Sequence, residues 1–224
     1  MSAAGPSPKS DRVTQDELLS RVRPPEWRNP QPRQPYDLVI LGGGPAGLSS
    51  AELARRQGRS VALLERGRLG GNSLNSGSIP SKAIIRAAQE LSSLRDEEDY
   101  GAVAFKQPST DFAAVMARMR RIRTRLAEYH SAERLRRQGI DLYFCNARFA
   151  APNVLLAGDT PLSFKKAIVA TGARPRVLPG AEPDGERILT WRQLYDLTEI
   201  PRDLIVVGSE IGRASCRERV LVTV

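Results

Sequence analysis

Two hydrophobic periods run along the chain. Three short segments are apolar almost without interruption: Tyr36-Asp-Leu-Val-Ile-Leu41, Ser60-Val-Ala-Leu-Leu-Glu65 and Asp203-Leu-Ile-Val-Val-Gly208. Runs of this length, bounded by turn residues, read as strands buried in a sheet. Between the first two, the spacing predicts a helix from about Pro45 to Gln57, closed by Gly58. Segment 36–65 is therefore a βαβ unit, which implies parallel strands and a right-handed crossover. A polar, glycine-rich loop is expected over 66–77, then a helix from about Ser78 to Leu94. Asp111 is placed to cap a long amphipathic helix running towards Gln138. Strands follow at 141–149, 153–156 and 163–170. Pro175 and Pro179 punctuate a loop, a short helix is expected near 191–197, and the last apolar run opens another buried strand. The one hint of internal repetition is a second strand–glycine turn at Gly208.

The first 35 residues are patterned differently, with many Pro, Ser and charged positions. Thr14 and Glu17 have capping-box spacing, which predicts a short helix near 14–22. Pro24 and Pro25 stop it, and Pro30, Pro32 and Pro35 keep the chain extended. This is a surface arm, mostly mobile or laid across the domain that follows.

Chemistry enters with Gly42-Gly43-Gly44-Pro45-Ala46-Gly47, directly after the first strand and opening the helix. Gly42 permits the tight turn, Gly44 lets the backbone approach a pyrophosphate, and Gly47 lets helix and strand pack closely. A diphosphate then meets the helix N-terminus, where free N–H groups and the helix dipole favour anions. Glu65 ends the second strand about 20 residues on, where a carboxylate accepts hydrogen bonds from ribose hydroxyls. The same carboxylate repels a 2′-phosphate, which disfavours NADP at this site. The turn alone does not distinguish FAD from NAD.

The loop Gly70-Gly71-Asn72-Ser73-Leu74-Asn75-Ser76-Gly77-Ser78-Ile79-Pro80-Ser81-Lys82 makes that distinction by resemblance. It is similar to the signature of the pyridine nucleotide-disulfide oxidoreductases, the family of dihydrolipoamide dehydrogenase, glutathione reductase and mercuric reductase. Cys145-Asn146-Ala147-Arg148-Phe149 falls where the family's backbone meets adenine, and Ala170-Thr171-Gly172 matches its second FAD motif. The arm segment Pro24-Pro-Glu-Trp-Arg-Asn-Pro30 looks most like mercuric-reductase-type members. The resemblance covers about 36–209. It implies an α/β fold: a Rossmann-like, three-layer FAD-binding domain with a parallel sheet, helices and a small antiparallel β-meander, followed by the start of an NAD(P)-binding domain. The expected organisation is an arm at 1–35, the FAD-binding domain at 36–180 and the beginning of the second domain at 181–209. The cofactor-binding residues it implies are Gly42, Gly44, Pro45, Ala46, Gly47, Glu65, Arg66, Gly71, Asn72, Ser73, Lys82, Ala147, Ala170, Thr171 and Gly172.

Where the family carries its two redox cysteines, this chain has Ser73 and Ser78. A hydroxyl has no disulfide couple, so dithiol exchange is not expected. Serine is also a poorer nucleophile than a thiolate unless a base assists it. The resemblance places Lys82, on the Ser78 face of its helix, against the flavin ring, where a cation favours the reduced cofactor. The expected function is FAD-dependent oxidation of NAD(P)H in the complete protein, with an unidentified small-molecule electron acceptor and a homodimeric assembly. The alternatives are a non-catalytic flavin- or nucleotide-binding module and a transhydrogenase-like flavoprotein.

Composition changes this picture little. The formal charge is +9, from 34 Lys and Arg against 25 Asp and Glu. Arg118, Arg120, Arg121, Arg123 and Arg125 are expected on a solvated helix face rather than as a nucleic-acid footprint. No apolar run reaches the roughly 18 residues of a membrane span, and no secretory signal is evident. Two cysteines, Cys145 and Cys216, do not make a disulfide scaffold, so the cytoplasm is the expected compartment. The single histidine, His130, is expected as an ordinary helix residue, Cys145 as a small buried strand residue, and Asp96, Glu97, Glu98 and Asp99 as a solvated loop. No metal constellation is visible. After Gly208 the chain departs from the expected Gly-x-Gly-x-x-Gly pattern. Residues 210–224 resemble a sequencing adapter read as codons, and a non-native scar on a truncated gene is expected there.

Overall fold

The computed structural model describes residues 9–33, 35–95 and 110–207. Among these residues six strands share one sheet: β1 (Tyr36–Leu41), β2 (Val61–Glu65), β3 (Asp141–Phe144), β4 (Ala147–Ala151), β5 (Val154–Ala157) and β6 (Thr160–Val169), in the order β3-β2-β1-β6-β5-β4. The four neighbours β3, β2, β1 and β6 are parallel, and β4-β5-β6 is an antiparallel meander. β6 belongs to both. Its first half pairs with β5, and Phe164–Val169 runs beside β1.

Alternation along the central strands divides the core. Ile40, Leu63 and Leu142 face α2 (Pro45–Arg56), packing with Leu48, Ala51 and Ala54. Val39, Leu41, Ala62, Leu64 and Tyr143 face the meander, meeting Leu155, Leu162 and Phe164. Residues of period two thus serve two faces, because helices cover one side of the parallel sheet and the meander the other. These are the three layers expected.

Several boundaries differ from the sequence reading. The loop over 66–77 contains a short helix, α3 (Gly71–Ser76), entered through Gly70 at φ 84°. It leads into α4 (Ser78–Arg95). Asp111 caps α5 (Phe112–Ala127) by accepting a 3.0 Å bond from the Ala114 amide. The predicted continuous helix then breaks. A 3-10 turn at Glu128–His130 intervenes, and Ser131 starts α6 (Ala132–Arg137) by accepting from the Arg134 amide. Serine in extended geometry offers the chain a cap in place of a helical bond. His130 accordingly lies in a turn, half-buried, and burial together with the nearby Arg134 lowers its pKa.

The strand expected over 141–149 divides at Cys145 and Asn146. The Cys145 amide still bonds to the Glu65 carbonyl (3.0 Å), but the Asn146 carbonyl accepts from Gly158 in the meander (2.9 Å). Cys145 is half-buried in this link rather than within a strand, and burial raises its thiol pKa. Near 191–197 there is a 3-10 turn at Leu194–Asp196 and no longer helix. Residues 203–207 form no strand, and Ile205 is 89% exposed. Gly208, residues 210–224 and the acidic run 96–99 lie outside the described residues.

The arm is laid across the domain. Its helix α1 (Lys9–Val22) begins five residues before Thr14, so that residue is not its cap. Leu18 and Val22 are fully buried in the helix-side core. Further along, Arg33 ion-pairs with Asp141 (3.0 Å), whose other oxygen accepts from the buried Tyr36 hydroxyl (2.7 Å). That hydroxyl also lies 3.0 Å from the Tyr143 hydroxyl, and burial holds the Tyr36 pKa well above its ordinary value.

Candidate nucleotide site

The open end of the parallel strands is where β1 delivers the glycine turn. Gly42 adopts φ 107°, which excludes side chains on steric grounds, and a Cβ there would overlap the Ala170 carbonyl oxygen. A Cβ on Gly47 would overlap the Gly42 carbonyl oxygen. These two positions therefore have to be glycine for the helix to start so close to both β1 and β6. Gly44 is the N-cap of α2, Pro45 occupies the first helical position, and no side chain caps this helix start. Its first amides, at Ala46 and Gly47, precede any intrahelical acceptor.

Glu65 sits beside this turn. One carboxylate oxygen accepts from the Gly43 amide at 2.6 Å and the other from Gly67 at 2.5 Å. The carboxylate is thus fixed from both sides while retaining lone pairs for further donors. The Gly70 amide bonds to the Gly43 carbonyl (2.8 Å), and a Cβ on Gly71 would stand 2.8 Å from Gly44 Cα. Two bare backbone segments, 42–44 and 70–71, therefore touch without intervening side chains and form the candidate cradle.

Of the expected residues, the structure gathers Gly42, Gly44, Pro45, Ala46, Gly47, Glu65, Gly71 and Ala170 at this turn. Thr171 and Gly172 follow Ala170 and are exposed. Asn72 lies one residue into the cradle's second wall, where its side-chain amide donates to the Ala173 carbonyl (3.3 Å), tying that wall to the segment after β6. Arg66 is exposed just outside. Ala147 begins β4 and packs on the meander-side core. Ser73 and Ser78 meet across the α3–α4 junction with their hydroxyl oxygens 2.7 Å apart. Lys82 is exposed one turn further along α4.

Three supporting residues escaped the sequence reading. The Asn75 side-chain amide donates to the carbonyls of Leu69 (3.0 Å) and Gly71 (2.8 Å), bracing the second glycine pair. Arg123, expected on a solvated face, is only 5% exposed; it donates to the Asn75 carbonyl (3.2 Å), and burial lowers its pKa. Arg192 donates to both the Asn72 side chain (3.3 Å) and the Ala173 carbonyl (3.0 Å). The Asn75 position had a usable signal, a polar residue amid glycines. The arginines had none, since their partners are distant carbonyls. Among the described residues, no three His, Cys, Asp or Glu side chains are grouped to hold a metal, and no helix is long and apolar enough to cross a membrane.

Residues 36–212 match the family model described as pyridine nucleotide-disulphide oxidoreductase. The chain belongs to this family. Among the chain's curated relatives, the dihydrolipoyl dehydrogenase of Rhizobium etli is 34% identical over 193 residues, covering 78% of this chain and 40% of the relative. The Bacillus subtilis dihydrolipoyl dehydrogenase is 34% identical over 190 residues, covering 79% and 40%. A soluble pyridine nucleotide transhydrogenase of Mycobacterium tuberculosis is 34% identical over 183 residues, covering 79% and 39%. The crystal structure of LpdA from Mycobacterium tuberculosis superposes with a TM-score of 0.60 at 32% identity, over 74% of this chain and 38% of that one. The chain therefore shares a Rossmann-like α/β fold with that structure, and it spans about 40% of the length of the curated relatives it matches.

Proposed function

We propose that this chain is the FAD-binding part of an oxidoreductase that, when complete, takes electrons from NAD(P)H without a dithiol step. The observation that carries this reading is the convergence of three separated segments, 42–47, 65–71 and 170–172, around the uncapped start of α2. Three features support a dinucleotide there: the Gly44 and Gly71 backbones pack so closely that a Cβ on Gly71 would meet Gly44 Cα, no side chain competes for the first amides of α2, and a fixed carboxylate stands at the end of β2.

FAD held there supplies a ring able to accept a hydride from a nicotinamide. The chain's own residues bind and orient. The Ala46 and Gly47 amides and the dipole of α2 face the diphosphate. The Glu65 carboxylate accepts the adenosine ribose hydroxyls. Lys82 presents a cation towards the flavin side. Ser73 and Ser78 take the places of the family's redox cysteines and contribute hydroxyls, which exchange no electrons.

A second reading, a transhydrogenase-like flavoprotein, is favoured by the same serine pair, because electron transfer between two pyridine nucleotides needs no protein disulfide. Other acceptors consistent with the site are a quinone, a metal ion or oxygen. The mercuric-reductase-type character of Pro24–Pro30 belongs to this proposal, with the serines arguing against thiolate-based metal handling. A cytoplasmic location and a homodimeric complete protein complete the reading, with a non-catalytic flavin module as its rival.

Reconstitution with FAD tests it. The bound cofactor should show flavin absorption near roughly 375 and 450 nm. Two-electron reduction should produce no long-wavelength thiolate-to-flavin band. A colourless protein rejects flavin binding, and a charge-transfer band rejects the loss of dithiol chemistry. NADH or NADPH oxidation by the complete protein separates an enzyme from a binding module.

A further inference from the structure

The arm does more than cover the core, because its end grips the loop that carries the adenosine side of the cradle. The Val22 carbonyl accepts from the Leu69 amide at 3.0 Å. One nitrogen of the Arg23 guanidinium donates to two carbonyls, Arg66 (3.0 Å) and Gly67 (2.9 Å). The guanidinium stacks 4.6 Å above the Phe144 ring, which Trp27 meets edge-on at 5.9 Å. Beyond it, Trp27 donates through its indole N–H to the Leu142 carbonyl (3.2 Å). Asn29 bonds both the amide (2.9 Å) and the carbonyl (3.4 Å) of Phe144. The arm thus runs along the outer edge of β3 and reaches round to loop 66–69.

That loop is held from its inner side by the site itself. Gly67 donates to the Glu65 carboxylate, Gly70 donates to the Gly43 carbonyl, and Leu69 is fully buried beside Leu18 and Val22. Loop 66–70 is therefore clamped between the arm and the glycine turn. Its placement fixes both the Glu65 carboxylate and the approach of Gly71 to Gly44. Nearby Arg66 and Arg68 are exposed and add positive charge to the loop. Two carbonyls converging on one guanidinium supply charge-assisted bonds that such a short loop lacks internally.

We propose that Arg23 is a positioning residue for the nucleotide site. It sets loop 66–70 and through it Glu65, so that the arm forms part of the adenosine-binding half of the domain. This rests on the dinucleotide reading of the cradle.

The test uses the full chain with three variants: Arg23→Ala, Arg23→Lys, which keeps the charge, and Arg33→Ala, which cuts an arm contact remote from the loop. ADP is the probe for the adenosine diphosphate half. Tryptic cleavage after Arg66 and Arg68, in flavin-free protein, reports the loop directly. Arg23→Ala should speed this cleavage and weaken ADP binding, each roughly tenfold, as expected for losing hydrogen bonds to a charged group. Arg23→Lys should recover most of both, and Arg33→Ala should change neither. Unaltered ADP binding in a folded Arg23→Ala protein overturns the proposal alone. So does an equal loss in Arg33→Ala, which would mean general weakening of the arm. Failure of the wild-type chain to bind ADP overturns the dinucleotide reading and the proposal with it.

Discussion

Ser73 Oγ lies 2.7 Å from Ser78 Oγ, across the junction of two helices that place them side by side. The two hydroxyls are within hydrogen-bond distance, so side chains at these positions are close enough to test for a disulfide. Replacing both by cysteine should yield a disulfide on oxidation. Thiol titration of denatured Ser73→Cys/Ser78→Cys protein should find two fewer reactive thiols than the same protein after reduction. Equal counts would show that the helices hold the two side chains in a geometry unsuited to an S–S bond.

Glu65 makes a second prediction. Its carboxylate is tethered by the Gly43 and Gly67 amides, and the proposed nucleotide site has it accept ribose hydroxyls. Glu65→Ala should weaken ADP binding by about 10- to 100-fold, the range for bonds to a charged acceptor. It should also narrow the preference for ADP over 2′-phospho-ADP, since the repelling charge is gone. Calorimetric titration with the two nucleotides measures both.

The glycine turn is a matter of space. A Cβ at Gly47 meets the Gly42 carbonyl oxygen, which is backbone and cannot rotate away. Gly47→Ala should cost about 3 kcal/mol through overpacking and lower the thermal midpoint by roughly 10 °C. Gly58→Ala provides the comparison: a Cβ there meets nothing within 4 Å, although its positive φ still carries a smaller penalty. Thermal denaturation of both variants tests the ranking.

What the sequence made legible was the part governed by local rules. β1, α2 and β2 follow from uninterrupted apolar runs around a glycine turn, and Glu65 follows from its distance to that turn. The break at Ser131 was not legible, because the 3.6-residue pattern continues through it and a single capping serine decides the outcome. Arg123 looked like one more solvated arginine among five; only its tertiary partners, Asn75 and Gln15, draw it inside. Arg23 escaped notice for the same reason, its acceptors being carbonyls 43 and 44 residues away. Residues 203–207 failed in the opposite direction. Their composition is that of a buried strand, but a strand also needs neighbours.

Acid sensitivity supplies a further test. Asp37 is held well below its ordinary carboxylate value of 3.8, first by the Lys165 ammonium at 2.7 Å and then by the Ser60 amide and hydroxyl. A carboxylate with a depressed folded pKa stabilises fully above its unfolded value. That contribution is lost as pH falls from about 4 towards the folded value. Asp37→Asn should therefore be less stable than wild type at pH 6, with the gap closing as pH falls through 4. Urea midpoints across pH 3–7 follow it. A gap that stays constant with pH would show that the charge of Asp37 plays no part.

The central claim is that the open start of α2, the Glu65 carboxylate and the Ala170–Gly172 segment together hold a dinucleotide. The most direct measurement is titration of the purified chain with FAD, followed by absorption and by quenching of flavin fluorescence, beside the Glu65→Ala variant. Saturable binding near one FAD per chain, weakened by the variant, is the predicted result. No flavin uptake by the wild-type chain, or uptake indifferent to Glu65, would contradict the account.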